Sequence, residues 1–180
     1  MNITRRIAIK NFLLVTAGTL LLPSCIEGGA SIKLINLDID GEHESILASL
    51  SEAIIPKTDT PGAKDISAHL FALKMVDDCY TKEEQEAFML GFEEFNKVVK
   101  NKHKSSFAQL KATQQEELLT YLEKGEDVPE GIKSFYSSAK RLTILGYTTS
   151  KDYLTEVKNF SLIPGKYQGA VPVNISKASV

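Results

Sequence analysis

LSEAIIPKTDTPGAKDISA, residues Leu50–Ala68, decides the fold of this chain. A helix is expected to stop at Pro56, because proline lacks the N–H group and its ring clashes with the preceding turn. Pro61-Gly62 predicts a turn in which proline presets φ and glycine accepts a positive φ. A second apolar-periodic segment starts after Lys64, with Asp65 as the expected N-cap. The stretch therefore predicts a helical hairpin, and by itself it indicates no chemistry.

The segments on either side of the hairpin loop carry helical periodicity. The first helix is predicted over residues 43–55, and the second runs over about 64–80. The third is the best defined, because Thr81 and Glu84 form a capping box ahead of an aromatic stripe. That stripe, Phe88, Phe92, Phe95 and Val99, repeats at helical spacing and indicates a buried face.

Two further helices are predicted in the C-terminal half. Thr113 and Glu116 form a second potential capping box, and Gly125 suits the end of that helix. Pro129 fits the first turn of the next helix, which is expected to end near Gly146. Its predicted inner face consists of Ile132, Phe135, Ala139 and Leu142. The expected fold class is all-α, a small irregular bundle of about five helices.

An extended apolar tail is predicted after these helices. Ser150 is expected to cap one more short helical turn. From Phe160 the chain reads FSLIPGKYQGAVPVNI, which is apolar coil rather than a soluble linker. An apolar segment of this kind is expected to pack against a protein surface. Two alternatives are open: the tail packs onto its own helical body, or it docks on a larger partner.

Charge and motif content narrow the possible functions. The 180-residue chain has a net charge of −2, which argues against a nucleic-acid partner. His43, His69 and His103 fit no metal-binding spacing, and we predict no metal site and no bound cofactor in this chain. No glycine-rich phosphate loop, serine elbow or haem-attachment motif is present. No convergent set of catalytic side chains is therefore visible in the sequence.

The N-terminus has the pattern of a targeting segment. Arg5 and Arg6 precede an apolar run and resemble a twin-arginine export signal. Leu22–Cys25 resembles a lipobox, in which the cysteine is acylated and becomes the new N-terminus. The alternative is an uncleaved signal-anchor helix in which Cys25 is incidental. We expect a leader at residues 1–24, a tether at residues 25–42 and one helical domain at residues 43–180, anchored by lipid on the periplasmic side of a bacterial envelope.

Two interpretations are open for the second cysteine, Cys79. It is either a small buried apolar side chain or a thiol that pairs with a partner chain in an oxidising compartment. The first reading is the more common situation for a single cysteine on a helix.

Several of these residues resemble the gluconate 2-dehydrogenase subunit 3 family. The resemblance is carried by LSEAII with Pro56, by Thr58–Ala63, by RLTILGYTTS at 141–150, and by Pro164–Tyr167 with Gly169. It implies a small non-catalytic subunit that aids export, assembly and membrane anchoring of a partner. The implied partner is a large dehydrogenase of the glucose-methanol-choline type that holds FAD and oxidises a sugar or polyol, in some cases with a cytochrome c subunit.

The resemblance also implies where the partner binds. The loop is either a structural turn or a contact surface for the large subunit, since irregular loops on rigid scaffolds often carry binding. The candidate partner-binding residues are Pro56, Thr58, Asp59, Pro61, Gly62, Pro164, Gly165 and Tyr167. An alternative function is a stand-alone helical lipoprotein that acts as a binding module in the cell envelope.

Overall fold

The computed structural model describes residues 30–125, 127–158, 160, 161, 163, 165, 169 and 170. The leader, Arg5, Arg6 and Cys25 lie outside these residues, and so do Pro164 and Tyr167 of the tail. The predictions made for those positions are therefore not addressed by the fold.

Five α-helices form the body of the protein. They are α1 (Gly41–Ile54), α2 (Ala68–Cys79), α3 (Lys82–His103), α4 (Ala112–Lys124) and α5 (Glu130–Thr148). A 3₁₀ turn, Phe107–Gln109, precedes α4, and a π-helical turn, Tyr153–Val157, follows α5. The described part of the chain contains no β-strand, which confirms the all-α class.

The core is built around the aromatic stripe of α3. Phe92 stacks on Phe135 of α5, with ring centroids 4.9 Å apart, and Phe88 meets the same ring edge-on at 5.0 Å. The main chains of α3 and α5 approach closely at Gly91 and Gly131, where neither residue has a side chain in the way. Every residue of the two predicted inner faces is buried, so the periodicity of both helices is confirmed.

The helix ends agree with the sequence only in part. The capping box of α3 is confirmed: the Thr81 hydroxyl accepts from the Glu84 N–H, and the Glu84 carboxylate accepts from the Thr81 N–H. The predicted box at Thr113 is wrong, because α4 begins earlier and the Gln114 side chain accepts from the Lys111 N–H at 3.1 Å. Packing sets this start, since the Gln115 amide is bound to the Phe107 carbonyl.

The segment that leads into α1 packs against the helices. Residues 31–39, which we call the strap, are non-helical, and Leu37 within them is buried in the core. The predicted tether was to end at residue 42, whereas α1 begins at Gly41 with Asp40 as its N-cap.

Cys79 ends α2 and is free and exposed. The prediction that it is a buried apolar side chain is wrong, because it lies at the solvent-facing side of the last turn. Pairing with a partner chain stays a prediction.

Candidate functional site

The hairpin loop, residues 55–67, joins α1 to α2 and is held in shape by Glu52. One carboxylate oxygen of Glu52 accepts from the Lys57 N–H at 2.9 Å, and the other accepts from the Lys64 N–H at 3.0 Å. The loop is closed further by the Ala63 N–H, which donates to the Ile55 carbonyl at 2.9 Å. A single acidic side chain in the last turn of α1 therefore satisfies donors on both arms of the loop.

Gly62 lies directly against this carboxylate. A Cβ atom placed on Gly62 would be 2.5 Å from one Glu52 oxygen and 2.6 Å from the other. Gly125 is the only described glycine with a positive φ, so the expectation that Gly62 accepts a positive φ is wrong. The position favours glycine because it leaves space for the carboxylate.

Asp65 also acts within the loop. Its carboxylate accepts from the Gly62 N–H at 3.3 Å and pairs with Lys57 at 2.9 Å. It does not cap α2, which begins at Ala68 after Ser67 in the left-handed region at φ 57°. The predicted N-cap role is therefore wrong, because the loop's own donors take the carboxylate. The pKa of Asp65 is lowered, first by the Lys57 contact and then by the Gly62 N–H.

Tyr147, near the end of α5, contacts the loop and supports it. The Tyr147 hydroxyl donates to the Pro61 carbonyl at 2.9 Å. The Tyr147 ring packs with Ala63 and Ala68 in a small apolar cluster separate from the main core. The Tyr153 ring of the π-helical turn lies beside it at a tilt of 59°, with the ring centroids 5.5 Å apart. The two segments that carried the family resemblance, the loop and residues 141–150, thus meet at one end of the bundle.

The candidate partner-binding residues divide into two groups. Pro56, Thr58 and Asp59 are exposed at the loop apex, whereas Pro61 is half-buried and Gly62 is buried. In the tail, Gly165 is exposed, and no described atom lies within 4 Å of its Cβ position. The large apolar side chains of the described tail are also exposed, Phe160 by 56% and Ile163 by 84%. Phe160 still contacts the π-helical turn, because its main-chain N–H donates to the Leu154 carbonyl at 2.7 Å.

An open groove of about 480 Å³ separates the loop from the π-helical turn. Asp152 and Glu156 face the loop across it, while Asp59, Asp65 and Lys57 line the loop side. Lys57 is already paired with Asp65, so the lining has an excess of negative charge. An open, acidic depression of this kind does not enclose a ligand as a typical small-molecule pocket does.

The histidines do not converge on a site. His43 on α1 lies 2.8 Å from Glu93. Burial opposes its charged form, but the contacts with Glu93 and Asp40 prevail and raise its pKa. His69 on α2 is buried, and that burial lowers its pKa. Within the described residues, no group of histidine, cysteine and carboxylate side chains could hold a metal ion.

Over the described ranges, no helix is both long enough and apolar enough to span a bilayer.

The two side chains that shape the loop, Glu52 and Tyr147, were not predicted from the sequence. One signal was available for Glu52: a carboxylate in the last turn of a helix opposes the helix dipole and so needs a specific partner. No signal indicated that the Tyr147 hydroxyl would reach Pro61, because the two residues are far apart in the sequence.

These features define a class: a small all-α protein whose helical hairpin presents a buttressed, solvent-facing loop beside an exposed apolar tail. The family model for gluconate 2-dehydrogenase subunit 3 matches residues 41–165, more than two thirds of the chain. The protein belongs to the gluconate 2-dehydrogenase subunit 3 family, which indicates an accessory-subunit role in a dehydrogenase complex. Searches of curated proteins and of solved structures found no match.

The role of the Glu52 carboxylate in holding the loop can be tested with a double-mutant cycle. We expect Gly62→Ala to reduce the free energy of unfolding by about 1–2 kcal/mol, because the new methyl group displaces the Glu52 carboxylate and frees two loop N–H donors. In a Glu52→Ala background the same substitution should cost less than about 0.5 kcal/mol, since no carboxylate remains to be displaced. Urea unfolding of the four proteins and hydrogen exchange at the Lys57 and Lys64 amides measure this coupling. Equal costs of Gly62→Ala in both backgrounds would show that Glu52 does not hold the loop.

Proposed function

We propose that this protein is the non-catalytic small subunit of a membrane-associated, flavin-dependent dehydrogenase. Its partner would be a large chain of the glucose-methanol-choline type, which holds FAD and oxidises a sugar or polyol, with a cytochrome c subunit as a possible third chain. The observation that carries the proposal is the family match over residues 41–165. In this assignment the flavin and the reacting groups belong to the partner, and this chain binds, exports and anchors it.

The surface features fit a binding role. The loop apex is exposed but rigidly supported by Glu52 and Tyr147, which lowers the entropic cost of ordering it on a partner. Exposed Phe160 and Ile163 lie beyond the same end of α5 and offer apolar area to an interface. The loop and the tail thus combine a preorganised polar contact with apolar area.

The leader supports the export and anchoring parts of the proposal. Arg5 and Arg6 suit the pathway that moves folded proteins, so a flavin-loaded partner could cross the membrane bound to this chain. An acylated Cys25 would then hold the complex at the periplasmic face of the envelope. Several acyl chains anchor firmly, because each buried methylene contributes about 0.8 kcal/mol.

The test is purification of the tagged full-length chain from membranes of the native host. We expect a large flavoprotein to co-purify and to show flavin absorbance. Cys25→Ser is the matched variant: it should keep the flavoprotein bound while its N-terminal peptide lacks the acyl chains, as measured by mass spectrometry. Recovery of the wild-type chain without any flavoprotein would refute the accessory-subunit proposal. A wild-type Cys25 without acyl chains by mass spectrometry would refute the lipid anchor alone.

A further inference from the structure

The strap is fixed to the helices through Asp77. This carboxylate, on the last turn of α2, accepts from the N–H groups of Ile35, Asn36 and Leu37, with the shortest distance 2.7 Å. The Asn36 side chain returns a hydrogen bond to the Asp77 carbonyl at 2.9 Å. The Asp77 side chain is fully buried, so these donors replace water around a buried charge. The strap is therefore an integral part of the folded body.

A second contact fixes the N-terminal end of the strap. Ser31 donates through its main-chain N–H and its hydroxyl to the two oxygens of Glu44, each at 2.6 Å. Glu44 lies in the first turn of α1. Both attachment points, Glu44 and Asp77, are therefore at the end of the α1–α2 hairpin that is opposite the hairpin loop.

The strap places the folded body close, along the chain, to the lipidation site. Cys25 is six residues from Ser31, and six residues span at most about 20 Å even when fully extended. If the strap were detached, sixteen residues would separate Cys25 from Gly41, and the upper limit would rise to about 55 Å. The rise of α1 from Glu44 to Ile54 is about 15 Å, with the loop beyond it. The six-residue spacing therefore holds the strap end of the body close to the bilayer, whereas the loop lies a helix length farther along the hairpin.

We propose that the strap orients the body on the membrane, with the hairpin loop directed away from the bilayer toward its partner. This inference rests on the lipid anchor of the proposed function. It concerns residues that precede the family match, which begins at Gly41. The strap end faces the lipid headgroups, and the loop and groove stay accessible to a water-soluble flavoprotein.

The experiment places one nitroxide label at each end of the hairpin. The full-length lipidated protein, in a Cys79→Ser background, is labelled at Asp38→Cys in the strap or at Asp59→Cys in the loop apex. Both positions are exposed. It is then reconstituted in vesicles that contain a nickel-chelating headgroup lipid. We expect nickel to enhance relaxation several-fold more at residue 38 than at residue 59.

Two variants isolate the cause of this difference. Insertion of about twelve Gly/Ser residues after Glu27 lengthens the tether and leaves the body intact, so the ratio should fall toward one. Asp77→Ala, checked for helicity by circular dichroism, should lower the ratio by releasing the strap. Equal enhancement at the two sites in the natural chain would overturn the proposal, as would an unchanged ratio after the insertion or a Cys25 without acyl chains by mass spectrometry.

The vesicles contain no flavoprotein, so this result is independent of partner binding. If no flavoprotein co-purifies but the two labels differ, the subunit assignment fails and the orientation stands. If a flavoprotein co-purifies but the labels are equal, the assignment stands and the orientation fails.

Discussion

Gly91→Ala is expected to lower the free energy of unfolding by about 3 kcal/mol, because overpacking at a rigid helix contact is strongly destabilising. A Cβ atom at this position would lie 2.3 Å from the Gly131 carbonyl oxygen and 2.8 Å from the Cβ of Phe135. The first of these is a main-chain atom of α5, so relief requires the two helices to move apart. That movement would also loosen the stack of Phe92 on Phe135 at the centre of the core.

Gly131→Ala is the matched control on the other side of the same contact. Its Cβ would be 2.7 Å from Glu94 Oε2, the mobile end of an exposed side chain, and 3.8 Å from the next atoms. Because alanine is favoured over glycine inside a helix, this change should be neutral or stabilising by up to about 1 kcal/mol. Urea unfolding followed by circular dichroism compares the two proteins. Equal effects of the two substitutions would contradict the asymmetry of the contact.

Asp77→Ala is expected to have a similarly large effect, a loss of about 2–4 kcal/mol. It removes the acceptor of three strap N–H groups, and the strap must detach to recover water as a partner. Detachment also exposes Leu37, which is buried in the core. Increased protease cleavage within residues 31–39 should accompany the loss of stability.

Asp78→Ala is the control, since Asp78 is the adjacent carboxylate but is exposed. Its ion pair with Lys74, at 3.0 Å, lies at the surface, and such pairs contribute about 0–1 kcal/mol. The variant should therefore unfold close to the wild type. A loss as large as that of Asp77→Ala would indicate a general effect on the end of α2 rather than loss of the strap.

The Asp77 interaction also predicts a pH dependence. Burial raises the pKa of Asp77, but the three main-chain donors outweigh burial and the folded pKa lies below the ordinary value of 3.8. The stabilisation is therefore complete above that value and is lost as the pH falls through the folded pKa. The difference in stability between wild type and Asp77→Asn should accordingly shrink on acidification below about pH 3.8. A difference that stays constant with pH would show that the charge of Asp77 is not involved.

Local patterns were sufficient for the helices. The spacing of Phe88, Phe92, Phe95 and Val99 fixes one buried face, because residues at these intervals project from the same side of a helix. Pro56 ends α1 because proline has no main-chain N–H group to donate. The start of α4 was misplaced because Gln115 is bound to Phe107, a contact that sequence periodicity does not contain.

The loop after Pro56 was predicted from the sequence, but the contacts that hold it in shape were not. Glu52 and Asp77 each lie in the last turn of a helix, where a carboxylate opposes the helix dipole. That position indicated that each needs donors, yet it could not identify them. The donors are main-chain N–H groups, which every residue except proline carries, so no side-chain pattern marks them.

By itself, the sequence determined the all-α class, the two inner faces of α3 and α5, and the presence of a loop after Pro56. These follow from local periodicity and from the covalent structure of single residues. Three features became visible in the folded protein alone. Glu52 holds the loop, and the strap is bound to Asp77. Gly62 is favoured because a larger side chain would collide with the Glu52 carboxylate, and not because φ is positive. These features depend on contacts between residues that are distant in the sequence and come together only when the helices pack. Such contacts produce no local sequence pattern.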